Sequence, residues 1–168
     1  MANYQTVYHS DSSLNAIIKA ELTDAREEFL TLLASLSNTD LERKSNVSAW
    51  TYKETLVHIV FWLQQTPRAV TLVRTGKRLP RLPGVLFAWI NMWLTRLVAW
   101  RQDRKSIIEQ YERAFQRVVR LTEEIKEQEW QQGIVFGAPF YEYRTIEQII
   151  RSHCKHVREH AREIRLSF

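Results

Sequence analysis

Chain breakers are scarce in this sequence, and that scarcity decides the fold class. Four Gly and four Pro occur in 168 residues. Between them run long stretches rich in Leu, Glu, Arg and Gln, residues that favour helix over sheet. Strand-like alternation is minimal, and neither an internal repeat nor a low-complexity tract is visible. The length suits a single domain, residues 1–168, large enough to bury a core.

Four long helical segments are predicted. The first spans about Ser13 to Ser37, with Ile18, Leu22, Phe29 and Leu33 on its apolar stripe. A short helical turn follows, because Thr39 and Glu42 have capping-box spacing. The second runs from Thr51, boxed with Glu54, towards Thr75, with Pro67 as a candidate kink. Gly76, Pro80 and Pro83 mark a long connection. The third starts after Gly84, with a break expected near Gln102–Lys105, and continues to about Trp130. Ser106 and Glu109 form a possible cap there. Its first half, Val85 to Trp100, is apolar nearly all round and so is buried on several sides or covered by a partner. Gly133 to Arg144 reads as a loop with some extended character, and the last helix begins at Thr145, boxed with Gln148. The expected fold is all-α: a four-helix bundle with a long crossover between helices 2 and 3.

Charge and cysteine content narrow the setting. The net charge of +5 is moderate, and basic residues are interleaved with acidic ones, so nucleic acid is not an expected partner. The densest basic cluster, Arg74, Lys77, Arg78 and Arg81, reads as a solvated loop. Cys154 is the single cysteine, which excludes an intrachain disulfide. The first residues lack a hydrophobic signal core, and Val85–Trp100 is too short for a span and is broken by Asn91 and Arg96. A cytoplasmic protein with no membrane partner is expected.

Histidines carry the functional signal. Three of the five, His153, His156 and His160, fall within eight residues of the last helix. Its seam, Ile146, Ile150, His153, Val157, His160 and Ile164, steps by four and three, placing two histidines where Leu or Ile is usual. His156 lies about 60° from His153 and about 40° from His160 around the axis. Imidazole is the commonest protein metal ligand. His153 and His160 are separated by roughly 10.5 Å of rise, too far to share one ion. His156 can converge with either His153 or His160; the i, i+4 pair His156 and His160 is taken as the chelate, with His153 as a neighbour. His58 shares an arc with Glu54, Phe61, Trp62 and Gln65. Alone, it fits equally a pocket wall and a core histidine bonded to backbone.

Two segments carry a family resemblance. Trp50-Thr-Tyr-Lys-Glu-Thr-Leu-Val-His58-Ile-Val-Phe-Trp62 resembles the second-helix signature of the DinB/YfiT-like superfamily. His156-Val-Arg-Glu-His160-Ala-Arg-Glu-Ile164 is similar to its last-helix His-x-x-x-His motif. Gly76 through Pro83 to Asn91 is reminiscent of the ClbS/DfsB branch. The resemblance implies a four-helix bundle, frequent homodimers, and a divalent ion held by His58, His156 and His160, zinc or nickel being the ions expected. It further implies a metal-dependent hydrolase or a thiol S-transferase using a low-molecular-weight thiol, acting on a small molecule in stress response or detoxification. The alternative is a small-molecule binding or sequestering resistance protein with a vestigial site.

Around such a site Glu54 is a weak candidate base, with a capping role favoured. His153, Trp62, Asn91, Tyr141, Tyr143 and Arg144 are expected around the ion or pocket. Cys154 projects about 100° from His153 and is expected to be inert.

Overall fold

A computed structural model describes residues 13–46, 48–77, 83–136 and 142–167. Six α-helices, one 3-10 turn (Glu127–Glu129) and one two-stranded hairpin are the regular elements of the described residues. In order, the α-helices and strands are α1 (Leu14–Ser35), α2 (Asn38–Leu41), α3 (Tyr52–Thr75), α4 (Gly84–Trp100), α5 (Arg104–Glu124), β1 (Gly133–Val135), β2 (Tyr143–Thr145) and α6 (Ile146–Arg165).

Side-chain caps start most of these helices. Thr51 with Glu54 opens α3, and Thr145 with Gln148 opens α6, each as a reciprocal box. Two starts differ from the sequence expectation. The short α2 is boxed by Ser37 and Asp40 rather than Thr39 and Glu42. Asp103 and Ser106 box α5, so Ser106 is the third helical residue and not the cap. In both cases a second Ser or Asp at the same spacing lay a few residues upstream, and it has the extended backbone that a cap requires. The helix α3 continues through Pro67 and ends at Gly76, whose φ of 63° closes it in the left-handed region.

Four helices form the bundle: α1, α3, α5 and α6. Each of α1 and α3 packs on both α5 and α6, so α1 and α3 occupy opposite corners. The core between them includes Ile18, Leu22, Phe29, Leu56, Ile59, Leu63, Tyr111, Val118, Ile150 and Val157, all buried. The expected third segment is two helices: α5 belongs to the bundle, whereas α4 lies within the crossover and packs on α3. Asp103 separates them because its side chain caps α5.

A strut closes the far end. Trp130 is buried and donates to Asn15 Oδ1 at 2.9 Å, and Asn15 donates to the carbonyls of Thr122 and Ile125. The Arg104 guanidinium likewise donates to the carbonyls of Leu33 and Leu36, closing the C-terminus of α1. The hairpin pairs Gly133 with Thr145 and Val135 with Tyr143, antiparallel, and leads directly into α6. A side chain at residue 133 would collide with the Arg144 backbone, which is why the strand begins with glycine.

Candidate metal centre

The α3–α6 contact brings three imidazoles together. His58 comes from the second turn of α3, His156 and His160 from the second half of α6. Each offers a ring nitrogen within 4.8 Å of the others. The ring centroids lie 5.0 Å apart for His58 and His156, 5.5 Å for His58 and His160, and 4.4 Å for His156 and His160. His58 is buried and the other two are half-buried.

Their hydrogen bonds leave nitrogens without partners. Trp62 Nε1–H donates to His58 Nε2 at 3.1 Å, while His58 Nδ1 and His156 Nε2 are buried with no partner. His160 Nδ1 meets Glu163 Oε2 at 2.7 Å. An unsatisfied buried nitrogen costs about 1–3 kcal/mol. Unpartnered nitrogens in a cluster whose three rings each offer a nitrogen within 4.8 Å of the others fit a shared cation better than an ordinary polar core. Burial, reinforced by His156 and His160, holds His58 near pKa 3, and burial with His160 pushes His156 down to about 4. Both rings are therefore neutral at pH 7, the form that ligates a metal.

The other expected residues divide. His153 lies outside the cluster: it is buried, its Nε2 is 3.3 Å from the Tyr111 hydroxyl, and its Nδ1 has no partner. Burial, then His156, holds it near pKa 3. Trp62, Asn91 and His153 line the cavity described below. Tyr143 is largely exposed, and strand alternation turns its neighbour Arg144 to the cavity instead. Tyr141 lies outside the described residues, as do Arg78 and Arg81 of the basic cluster. Glu54 is occupied: it accepts from the Thr51 N–H at 2.8 Å and pairs with Arg96 at 3.5 Å. Cys154 is buried, and burial pushes its thiol up to about 11, so it is not a nucleophile.

The seam of α6 also departs from expectation. Ala161, not His160, is buried there, because His160 turns towards the open side between α3 and α6. Sequence reasoning missed Glu163, which holds His160 from one turn further on, and Trp50, whose ring lies 4.5 Å from that of His58. The i, i+3 spacing of His160 and Glu163 could have revealed the first. Trp50 opens the family-like segment, but its place before the α3 cap gives no sign that its ring meets His58.

Beside the three rings opens a cavity of about 920 Å³. Its walls are largely apolar, formed by α3, the inner face of α4 and α6, with Val57, Phe61, Phe87, Leu94 and Ile149 among them. Arg68, Arg144, Lys155 and Glu159 bring charge to it. No other described group of three His, Cys, Asp or Glu side chains offers a metal-binding cluster.

Known structures share this architecture. YfiT from Bacillus subtilis, described as a probable metal-dependent hydrolase with an unusual four-helix bundle topology, is 14% identical, with a TM-score of 0.71 over 99% of this chain and 92% of that one. The mycothiol-dependent maleylpyruvate isomerase is 11% identical with a TM-score of 0.72; the match covers 90% of this chain but 61% of the isomerase. The colibactin self-resistance protein ClbS, solved in complex with dsDNA, is 10% identical with a TM-score of 0.71, over 94% of this chain and 96% of that one. At such identities the likeness is one of fold. No curated protein sequence matches the chain. Residues 21–164, however, match one family from α1 to the end of the α6 seam, histidines included, and by that match the chain belongs to the DinB superfamily.

Proposed function

We propose that this protein is a divalent-metal-dependent enzyme that activates a nucleophile, water or a small thiol, against a small and largely apolar substrate. One observation carries the reading: three imidazoles from two helices converge at the wall of a cavity, with buried nitrogens lacking partners. A divalent ion bound by three neutral ligands would supply a Lewis acid with an open position, able to lower the pKa of water or thiol.

The residues of the chain would do the rest. His58 and His156 stay unprotonated at neutral pH because burial opposes their charge. Glu163 fixes the ring of His160 by accepting from Nδ1, which leaves Nε2 free to ligate. Apolar walls would exclude water from the substrate, with Arg68 adding positive charge, while Lys155 is paired with Glu159 and Arg144 with Glu142. Among the described residues the carboxylates of the site are engaged: Glu54 with Thr51 and Arg96, Glu159 with Lys155 and Glu163 with His160. Nucleophile activation would therefore depend on the three-imidazole site.

Elemental analysis after reconstitution tests the reading. About one zinc or nickel ion per chain is expected, with His58→Ala and His156→Ala each losing it. Absence of stoichiometric metal in the folded wild type would sink the proposal. Ester and amide hydrolysis, against conjugation of a thiol to an electrophile, then separates the two reactions. Ligand binding unchanged in His156→Ala, with neither activity, would point to the sequestering alternative.

A further inference from the structure

The helix α4 shows an apolar face to solvent. Val85, Trp89, Trp93, Leu97 and Trp100 repeat at three- and four-residue steps along its outer side. Trp89 is 57%, Trp93 50%, Leu97 52% and Trp100 76% exposed. Only Thr95 and Ala99 of the helix are buried, and its inner face, including Phe87, Ile90 and Leu94, walls the cavity. A row of three exposed tryptophans on one helix exceeds the scattered apolar exposure of an ordinary surface.

The charge of the sequence around this helix is one-sided. No Asp or Glu occurs from Thr55 to Gln102, whereas Arg68, Arg74, Lys77, Arg78, Arg81, Arg96 and Arg101 all do. The chain carries a net +5, so the rest of it is net negative and the positive charge is concentrated in this stretch. Arg74 and Arg96 are engaged with Glu129 and Glu54. Lys77, just before the connection to α4, and Arg101, just after α4, are exposed, and the Arg101 guanidinium lies 6.0 Å from the Trp100 ring.

We propose that the outer face of α4 docks on an anionic lipid surface, with Trp89, Trp93, Leu97 and Trp100 in the headgroup region and the flanking cations against lipid phosphates. Tryptophan is suited to that interface because its ring is apolar and its N–H polar. No described helix is long and apolar enough to cross a membrane, so the contact is a helix lying on the surface. The sequence expectation of no membrane partner rested on span length, and resting on a surface is a different condition. A second copy of the chain fits less well, since its own acid-free stretch would set like charges around the shared face. Duplex nucleic acid would use the cations but leave the tryptophans without a role.

Co-sedimentation of the full chain with phosphatidylglycerol-rich vesicles, against pure phosphatidylcholine vesicles, tests this without any metal. Binding to the anionic vesicles, a blue-shifted tryptophan emission and release by high salt are expected. Trp93→Glu with Leu97→Glu, and separately Lys77→Glu with Arg101→Glu, should each weaken partitioning on the order of ten-fold or more. These residues lie outside the histidine cluster and the cavity wall, so the metal content should be unchanged. No sedimentation, or equal sedimentation with both vesicles, would overturn the proposal. So would a wild-type dimer that Trp93→Glu converts to monomer without any vesicle binding, or capture of duplex DNA in place of vesicles. Should the Glu variants fail to fold by circular dichroism, the wild-type comparison of the two vesicles decides alone.

Discussion

A neutral imidazole has one lone pair on its ring nitrogens, and in His58 that pair is already taken. The indole of Trp62 can only donate, so His58 Nε2 is the acceptor and the proton resides on Nδ1. A metal ion binding either nitrogen must therefore displace the Trp62 hydrogen bond, directly or by forcing the proton across the ring. Two results follow. Tryptophan emission should change when zinc or nickel is added to the apoprotein, and Trp62→Phe should abolish most of that change. Trp62→Phe should also tighten metal binding several-fold, because a neutral hydrogen bond contributes about 1 kcal/mol. Weaker binding by Trp62→Phe in calorimetry would show that the indole supports the metal-bound form instead. At His160 the expected sign reverses: Glu163 holds the ring through Nδ1, so Glu163→Gln should weaken metal binding by about ten-fold or more.

At the scale of elements, the ends of helices were more legible than their partners. Gly76 gives the cleanest test. Its φ is 63°, and a Cβ there would meet nothing within 4 Å. Gly76→Ala should thus cost only the backbone penalty of the left-handed region, about 1 kcal/mol in urea unfolding, and Gly76→Asn less. A neutral alanine substitution would mean that the end of α3 frays freely. The Trp130 strut should be far more sensitive, with Trp130→Ala losing about 3–5 kcal/mol. Thr51 and Thr145 were readable as caps because one side chain and one spacing define a box. The starts of α2 and α5 were not, because neighbouring Ser, Thr and Asp residues offered competing boxes that only backbone angles resolve. The separate fate of α4 was hidden for a different reason. A helix apolar on all sides has no period from which to read its buried face, and here the tryptophan side faces out.

For the molecule as a whole, periodicity told which residues seek a core but not which helices meet across it. The diagonal placement of α1 and α3 is a property of the crossover, and the approach of His58 to His156 and His160 depends on it. Residue spacing singled out the pair within α6; His58 alone read evenly as pocket wall or core histidine, and the family resemblance joined it to that pair. The fold carries a cost for assembling these rings. His58 and His153 are held near pKa 3 and His156 near 4, chiefly by burial, while an unfolded histidine titrates at about 6.5. The stability of the metal-free protein is therefore full above about pH 6.5 and falls as pH drops towards 4, because the unfolded chain takes up protons that the fold refuses. Each such histidine contributes about 1.4 kcal/mol per pH unit, so the three together reach about 4 kcal/mol per unit once all are protonated in the unfolded chain. Urea midpoints measured at pH 7.5, 6 and 5 should fall with that steepening slope, and His153→Leu should reduce it by about a third. Midpoints that stay level across this range would mean that the imidazoles accept protons inside the fold, and a cluster that does so could not be the neutral site that a divalent ion requires.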